Sequence, residues 1–131
     1  MFIYRTKMHL RHTDATGVLF FPEQFKFTSE AFEEFLIYRG VSLKALIDSP
    51  YLLPVVHTEA DYKAPLQIGD VIEISVQVVK LGISSVTLHY ELHQEKGVEV
   101  GTVQTVHVAI DKATWKAVPL PHSLRQVFAI Q

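Results

Sequence analysis

Cysteine is absent from the chain. Its absence excludes disulfides, zinc–thiolate and iron–sulfur ligation, and a thiol nucleophile. A dominant charge is missing too. Twelve Lys and Arg stand against 14 Asp and Glu, a formal net charge of −2, which gives no overall attraction to nucleic acid. No run approaches the roughly eighteen apolar residues of a membrane span, and the opening Met1-Phe-Ile-Tyr-Arg-Thr-Lys lacks the apolar segment of a signal peptide. Both point to a cytoplasmic protein with no membrane partner. Glycine and proline, 6 each, are scattered as punctuation without a linker or repeat. What the chain does hold is apolar surface. With 48% hydrophobic residues over 131 positions it can bury one core, and residues 1–131 read as a single domain.

The hydrophobic periodicity changes along the chain. Phe2 to His12 alternates like a strand and stops at the turn residues Thr13-Asp14-Ala15-Thr16-Gly17. A long helix follows. Pro22 suits its first position, Glu23 its first turn and Gly40 its end, with Phe25, Ser29, Phe32, Phe35, Leu36 and Arg39 on one face. A shorter helix spans Ser42 to Ile47. From there the period is two, giving strands over Val55–Lys63, Ile72–Val78, Val86–Leu92 and Val98–Ile110, and the tail holds one helical turn from Ser123 to Phe128. Short connections predict antiparallel neighbours. The long helix has no second long helix to cover it, so it must lie on the sheet. The expected fold is α+β, a strongly curved antiparallel sheet wrapped around one helix.

The chemistry concentrates in Asp14-Ala15-Thr16-Gly17-Val18-Leu19-Phe20-Phe21-Pro22, a carboxylate on a turn followed by a helix start. A carboxylate serves as nucleophile or general base, and free N–H groups at a helix mouth stabilise an oxyanion. Pro22 has no N–H, which leaves Phe21 as the backbone donor. The pair suits attack on a carbonyl or thioester, although an Asp in this place also reads as a turn or cap residue.

Four segments together resemble the 4-hydroxybenzoyl-CoA thioesterase family of hotdog-fold proteins: Asp14-x-x-Gly17-x-x-x-Phe21-Pro22, Glu30-Ala31-Phe32-Glu33-Glu34, Pro54-Val55-Val56-His57 and Pro65-Leu66-x-x-Gly69-Asp70. The resemblance covers nearly the whole chain. It implies a hotdog fold, hydrolysis of an acyl-CoA thioester, no cofactor beyond the coenzyme A of the substrate, and a site formed between paired subunits in a homodimer or homotetramer. Residue by residue, it implies that Asp14 attacks the carbonyl or activates water, that Gly17 lets the loop close, and that the Phe21 N–H polarises the thioester. Phe20, Pro22, His57 and Glu30 are the implied substrate-binding residues. Related thioesterases often carry Asn and an aromatic after the proline, where this chain has Glu23 and Gln24.

Other candidates are weaker. A family branch uses a helical Glu, which brings in Glu30, Glu33 and Glu34, each of which also reads as a solvated helix face. His89 and His93, four apart in a strand, are separated by roughly 13 Å, and His9 and His12 face opposite ways on a regular strand, so no metal site is expected. Arg11, Lys63 and Lys80 are candidates for the phosphates of coenzyme A. The resemblance leans toward an aromatic acyl-CoA such as 1,4-dihydroxy-2-naphthoyl-CoA. A short-chain aliphatic acyl-CoA and a non-catalytic acyl-CoA binding module are the alternatives, with a purely structural assembly protein behind them.

Overall fold

The structure, a computed structural model, describes residues 1–129; Ile130 and Gln131, part of the single-domain expectation, lie outside the described residues. Strand β1 (Phe2–Lys7) is followed by a 3₁₀ turn at Leu10–His12, helix α1 (Glu23–Tyr38) and helix α2 (Leu43–Asp48). Then come β2 (Tyr51–Leu52), β3 (Val55–Tyr62), β4 (Val71–Leu81), β5 (Ser85–Gln94), β6 (Glu99–Val108), β7 (Ile110–Asp111) and α3 (His122–Ala129). Five strands form one antiparallel sheet in the order β1-β4-β5-β6-β3, and β2 pairs with β7. This is the expected α+β, hotdog-type arrangement, with α1 held against the concave face.

The alternation is realised in the sheet. Ile72, Ile74 and Val76 of β4 and Val86, Leu88, Tyr90 and Leu92 of β5 are buried against α1. Each large apolar side chain buried there contributes roughly 1.5–3 kcal/mol. Chain order misleads at one step. β3 and β4 are consecutive and joined by a short segment, yet β3 pairs with β6 and β4 with β1. Both edges of β4 are taken, by β1 and β5, so the 63–70 connection passes from edge strand β3 to β4 with β6 and β5 between them.

Three further expectations change. The first strand ends at Lys7, and the 3₁₀ turn after it brings the His9 and His12 rings to 5.6 Å rather than to opposite faces. Helix α1 buries Gln24, Phe27, Thr28, Ala31, Phe35 and Leu36. Of the expected face, only Phe35 and Leu36 are buried, while Phe25, Phe32 and Arg39 are half-buried and Ser29 is exposed. The buried face is rotated because two polar side chains, Gln24 and Thr28, take core positions. The tail forms two turns of helix rather than one, because Leu124 and Phe128 both reach the core.

Helix α2 is as expected, with Ser42 capping it by accepting a hydrogen bond from Ala45 N–H at 3.2 Å. Phe128 closes the core beneath α1, its ring 6.4 Å from both Phe32 and Phe35. Phe128→Ala should therefore cost about 3–5 kcal/mol, read as a lower midpoint in urea at unchanged slope.

Candidate functional site

The Asp14 loop is a closed turn. Asp14 N–H donates to Val18 O at 3.0 Å and Gly17 N–H to Asp14 O at 3.1 Å, and Gly17 sits at φ +81, where a side chain is strained. The Asp14 carboxylate accepts from both the backbone N–H and the hydroxyl of Thr16, at 2.7 and 2.5 Å. These bonds, the hydroxyl first, hold its carboxyl below the usual aspartate range. The acid is exposed and ionised.

Two contacts seat the loop. Leu19 N–H donates to Leu66 O at 2.8 Å, and Val18 bridges to Gln67. Leu66 is fully buried, Gly69 turns the chain at φ +89, and the Asp70 carboxylate accepts from Gln67 N–H at 2.8 Å. The Pro65-Leu66-x-x-Gly69-Asp70 segment thus holds the platform on which the Asp14 loop rests.

Phe21 lies at the mouth of α1. Pro22 stands one position ahead of the helix, not at its first residue, but already has helical angles, φ −66 and ψ −21. Phe20 N–H donates to His12 O at 2.9 Å, whereas the Phe21 N–H has no acceptor among the described residues. The helix mouth is therefore left with an open donor. Tyr62 of β3 fixes this segment: its hydroxyl donates to Phe21 O at 2.8 Å, and its ring meets the Phe21 ring edge-on at 6.4 Å. Gln24, wholly buried, does the same from inside, its Nε2 donating to Asp61 O at 3.1 Å and Thr102 O at 3.2 Å. Gly101 makes room for it, since a Cβ there would lie 2.9 Å from Gln24 Nε2 and 2.3 Å from Asp61 O.

A seam between α1 and β3 runs away from this point. At the mouth, Phe21, Val18, Leu19, Tyr62, Lys63 and Pro65 line a hollow of about 380 Å³. Further along, Phe25, Phe32, Thr58, Tyr90, Thr105 and His107 line a second of about 150 Å³. Asp14 lines neither hollow within one chain. Lys63 is at the mouth and pairs with Glu99 at 3.0 Å; Arg11 and Lys80 are exposed and line neither hollow.

The remaining expected residues scatter. Phe20 is exposed and packs on the Phe21 ring at 5.5 Å. Glu30 lies five residues past Phe25, about 140° round the helix, and accepts from Tyr4 OH at 3.4 Å on the β1 side. It is directed away from the seam. Glu33 and Glu34 are exposed on α1. His57 also misses the seam within one chain. Thr58 and Tyr62 share the inner face of β3, while His57, beyond the irregular pairing between Val55 and His57, is turned outward, 4.0 Å from Glu59. Thr58 and Val55 line the hollow in its place. Among the described residues no group of three or more His, Asp or Glu side chains is placed to hold a metal ion.

Sequence reasoning noted Gln24 only as a departure from the family pattern, missed Tyr62, Thr105 and His107 as site residues, and placed Tyr90 only within a strand. His107 is 4% exposed, and burial lowers its pKa. The folded ring stays neutral where the unfolded one, near the ordinary 6.5, gains a proton. Stability is then complete above about pH 6.5 and declines as pH falls below it. Denaturant midpoints measured between about pH 7.5 and 5.5 should show this slope, and His107→Gln should reduce it, leaving the share of buried His12, whose pKa burial lowers as well.

A family model described as the thioesterase-like superfamily matches residues 8–128. The 1,4-dihydroxy-2-naphthoyl-CoA hydrolase of Synechococcus elongatus is 34% identical over 118 residues, 86% of this chain and 84% of that protein. Among solved structures, a 1,4-dihydroxy-2-naphthoyl-CoA thioesterase from Synechocystis superposes with a TM-score of 0.92 at 29% identity, covering 97% of this chain and 94% of the other. A gentisyl-coenzyme A thioesterase superposes with a TM-score of 0.87 at 28% identity, covering 97% and 99%.

Proposed function

We propose that this chain, which belongs to the thioesterase-like superfamily, hydrolyses an aromatic acyl-CoA to the free acid and coenzyme A, with Asp14 and the Phe21 N–H as its catalytic groups. The observation that carries the reading is the open Phe21 N–H at the mouth of α1, beside a loop that presents an ionised carboxylate. The aromatic preference is supported by the names of the relatives, two of which act on naphthoyl-CoA and one on gentisyl-CoA, and by the Phe25 and Phe32 rings along the seam.

Two courses are open to Asp14. In one, a carboxylate oxygen bonds to the thioester carbonyl carbon, the C–S bond breaks, coenzyme A leaves as thiolate, and water cleaves the anhydride. In the other, the carboxylate takes a proton from a water whose oxygen makes that bond. Both put negative charge on the carbonyl oxygen, and a fixed N–H at that point stabilises it. Gly17 permits the turn that presents the acid. Phe20 and Pro22 shape the entrance. No cofactor is required beyond the coenzyme A that the substrate carries.

Asp14 is exposed in one chain, and β3 is an edge strand with Val55, Val56 and Tyr62 about half exposed. Uncovered apolar edges pair readily. A second copy then covers this edge and closes the site over Asp14, giving a homodimer or a homotetramer. Light scattering should return twice or four times the chain mass of 14.9 kDa; a monomer active at the same dilution contradicts the shared site.

Asp14→Asn keeps an oxygen for the two Thr16 bonds and should leave stability nearly unchanged, while thiol release falls by about 100-fold or more. An unchanged rate removes Asp14 from the mechanism. Because Thr16 keeps the Asp14 carboxyl below the usual aspartate range, kcat/KM should show no acid limb from Asp14 between about pH 5 and 7. A limb in that window that vanishes in Asp14→Asn would mean that the acid titrates higher than its bonds allow.

A further inference from the structure

One buried side chain outside the seam holds the neck of the Asp14 loop. His12, 5% exposed, ends the 3₁₀ turn at Leu10–His12 and packs its ring on Phe27 of α1 at 4.6 Å. Its backbone closes the loop. His12 O accepts from Phe20 N–H at 2.9 Å, and Thr13 bridges to Leu19 just beyond. Asp14 follows His12 by two residues, and Phe21 follows Phe20 by one. A shift of this neck against α1 therefore moves the acid relative to the open N–H.

A single bond settles the tautomer of the ring. His9 N–H lies 2.9 Å from His12 Nδ1, and a backbone amide only donates, so Nδ1 is a lone pair and the neutral ring carries its hydrogen on Nε2. A second proton could bind only at Nδ1. There it would set two N–H groups against each other and break the bond. Burial is the largest influence on the ring and opposes the imidazolium, as do Arg11 and His9 on its own turn, whereas Glu23 and Glu30 on α1 favour it. The balance holds the pKa below the ordinary 6.5. At pH 7 the ring is a neutral acceptor. Packing on Phe27 needs only a ring; the acceptor at Nδ1 is what a phenyl ring lacks.

We propose that His12 is a positioning residue for thioester cleavage: as a neutral acceptor for His9 N–H it fixes the neck of the Asp14 loop against α1, and on gaining a proton it releases that neck. The proposal rests on the thioesterase reading above and adds a proton-dependent part to the same site. His12 acts through Asp14 and the Phe21 N–H and touches no substrate. Misplacing reacting groups by about 1 Å costs up to about 100-fold in rate. The loss falls on kcat, because the acid and the N–H act on the transition state.

The test follows thiol release between about pH 8 and 5, from whichever of 1,4-dihydroxy-2-naphthoyl-CoA, benzoyl-CoA and hexanoyl-CoA the parent cleaves fastest. The parent kcat/KM should fall below a midpoint under 6.5, by about tenfold for each pH unit, and recover when the pH is restored. His12→Asn places an amide oxygen near the position of Nδ1 and cannot titrate. It should keep most of the pH 8 rate and lose this limb, which separates it from a limb of Asp14 or of the substrate's own phosphates. His12→Phe keeps a ring on Phe27 without the acceptor, and should lower kcat about 10–100-fold with KM little changed. In the parent, which needs no variant to fold, the NMR shifts of the His12 ring nitrogens should titrate at the kinetic midpoint, with Nδ1 bare above it. A parent profile flat to the acid end, a limb that His12→Asn retains, a ring that titrates away from the limb, or a His12→Phe as fast as the parent overturns the proposal and leaves the thioesterase reading intact. Thiol release from none of the three esters overturns that reading, and the proposal with it.

Discussion

Helix α1 has no second long helix to lie against, and that constraint shapes the molecule. Its buried face, from Gln24 to Leu36, is covered by a sheet that must curve around it. The curvature leaves the N-terminal mouth of the helix uncovered beside the Asp14 loop, and leaves a seam where the flank bearing Phe25 and Phe32 meets edge strand β3. The open donor and the apolar seam thus follow from one packing problem. Gln24 is the point at which packing and chemistry meet, because its buried amide ties the first turn of α1 to β3 and β6. If the first turn shifted, the open N–H would move with it.

Much of this architecture is written in local pattern. The period-two runs in β4 and β5 identify their buried faces directly, and the glycine after Asp14-Ala15-Thr16 marks a turn that the structure forms at positive φ. Asp14 and Phe21 stand out for the same reason: they lie within one short stretch, Asp14 to Pro22, and have chemistry of their own. Pairing order is different, since the crossing of residues 63–70 depends on which strand edges are already taken. A sequence read from neighbour to neighbour does not carry that information.

The polar core was the less legible part. Gln24 and Thr28 on α1, and Thr105 and His107 on β6, have side chains that read as outward, so the buried face of α1 was placed a fraction of a turn away and the floor of the seam went unseen. Their burial depends on partners far off in the chain. Gln24 meets the carbonyl of Thr102, and His107 meets that of Leu53. Conversely, Glu30 and His57 sit in segments that resemble family motifs, but helix phase directs one toward Tyr4 and strand parity turns the other outward. The direction of a side chain was not fixed by the motif around it.

The account turns on where the thioester carbonyl sits. A crystal structure with a non-hydrolysable aryl ketone analogue of the acyl-CoA measures this directly. The carbonyl oxygen should lie about 3 Å from the Phe21 nitrogen, with an Asp14 carboxylate facing the carbonyl carbon and the ring between Phe25 and His107. A carbonyl bound away from the mouth of α1, with the Phe21 N–H still open, would contradict it.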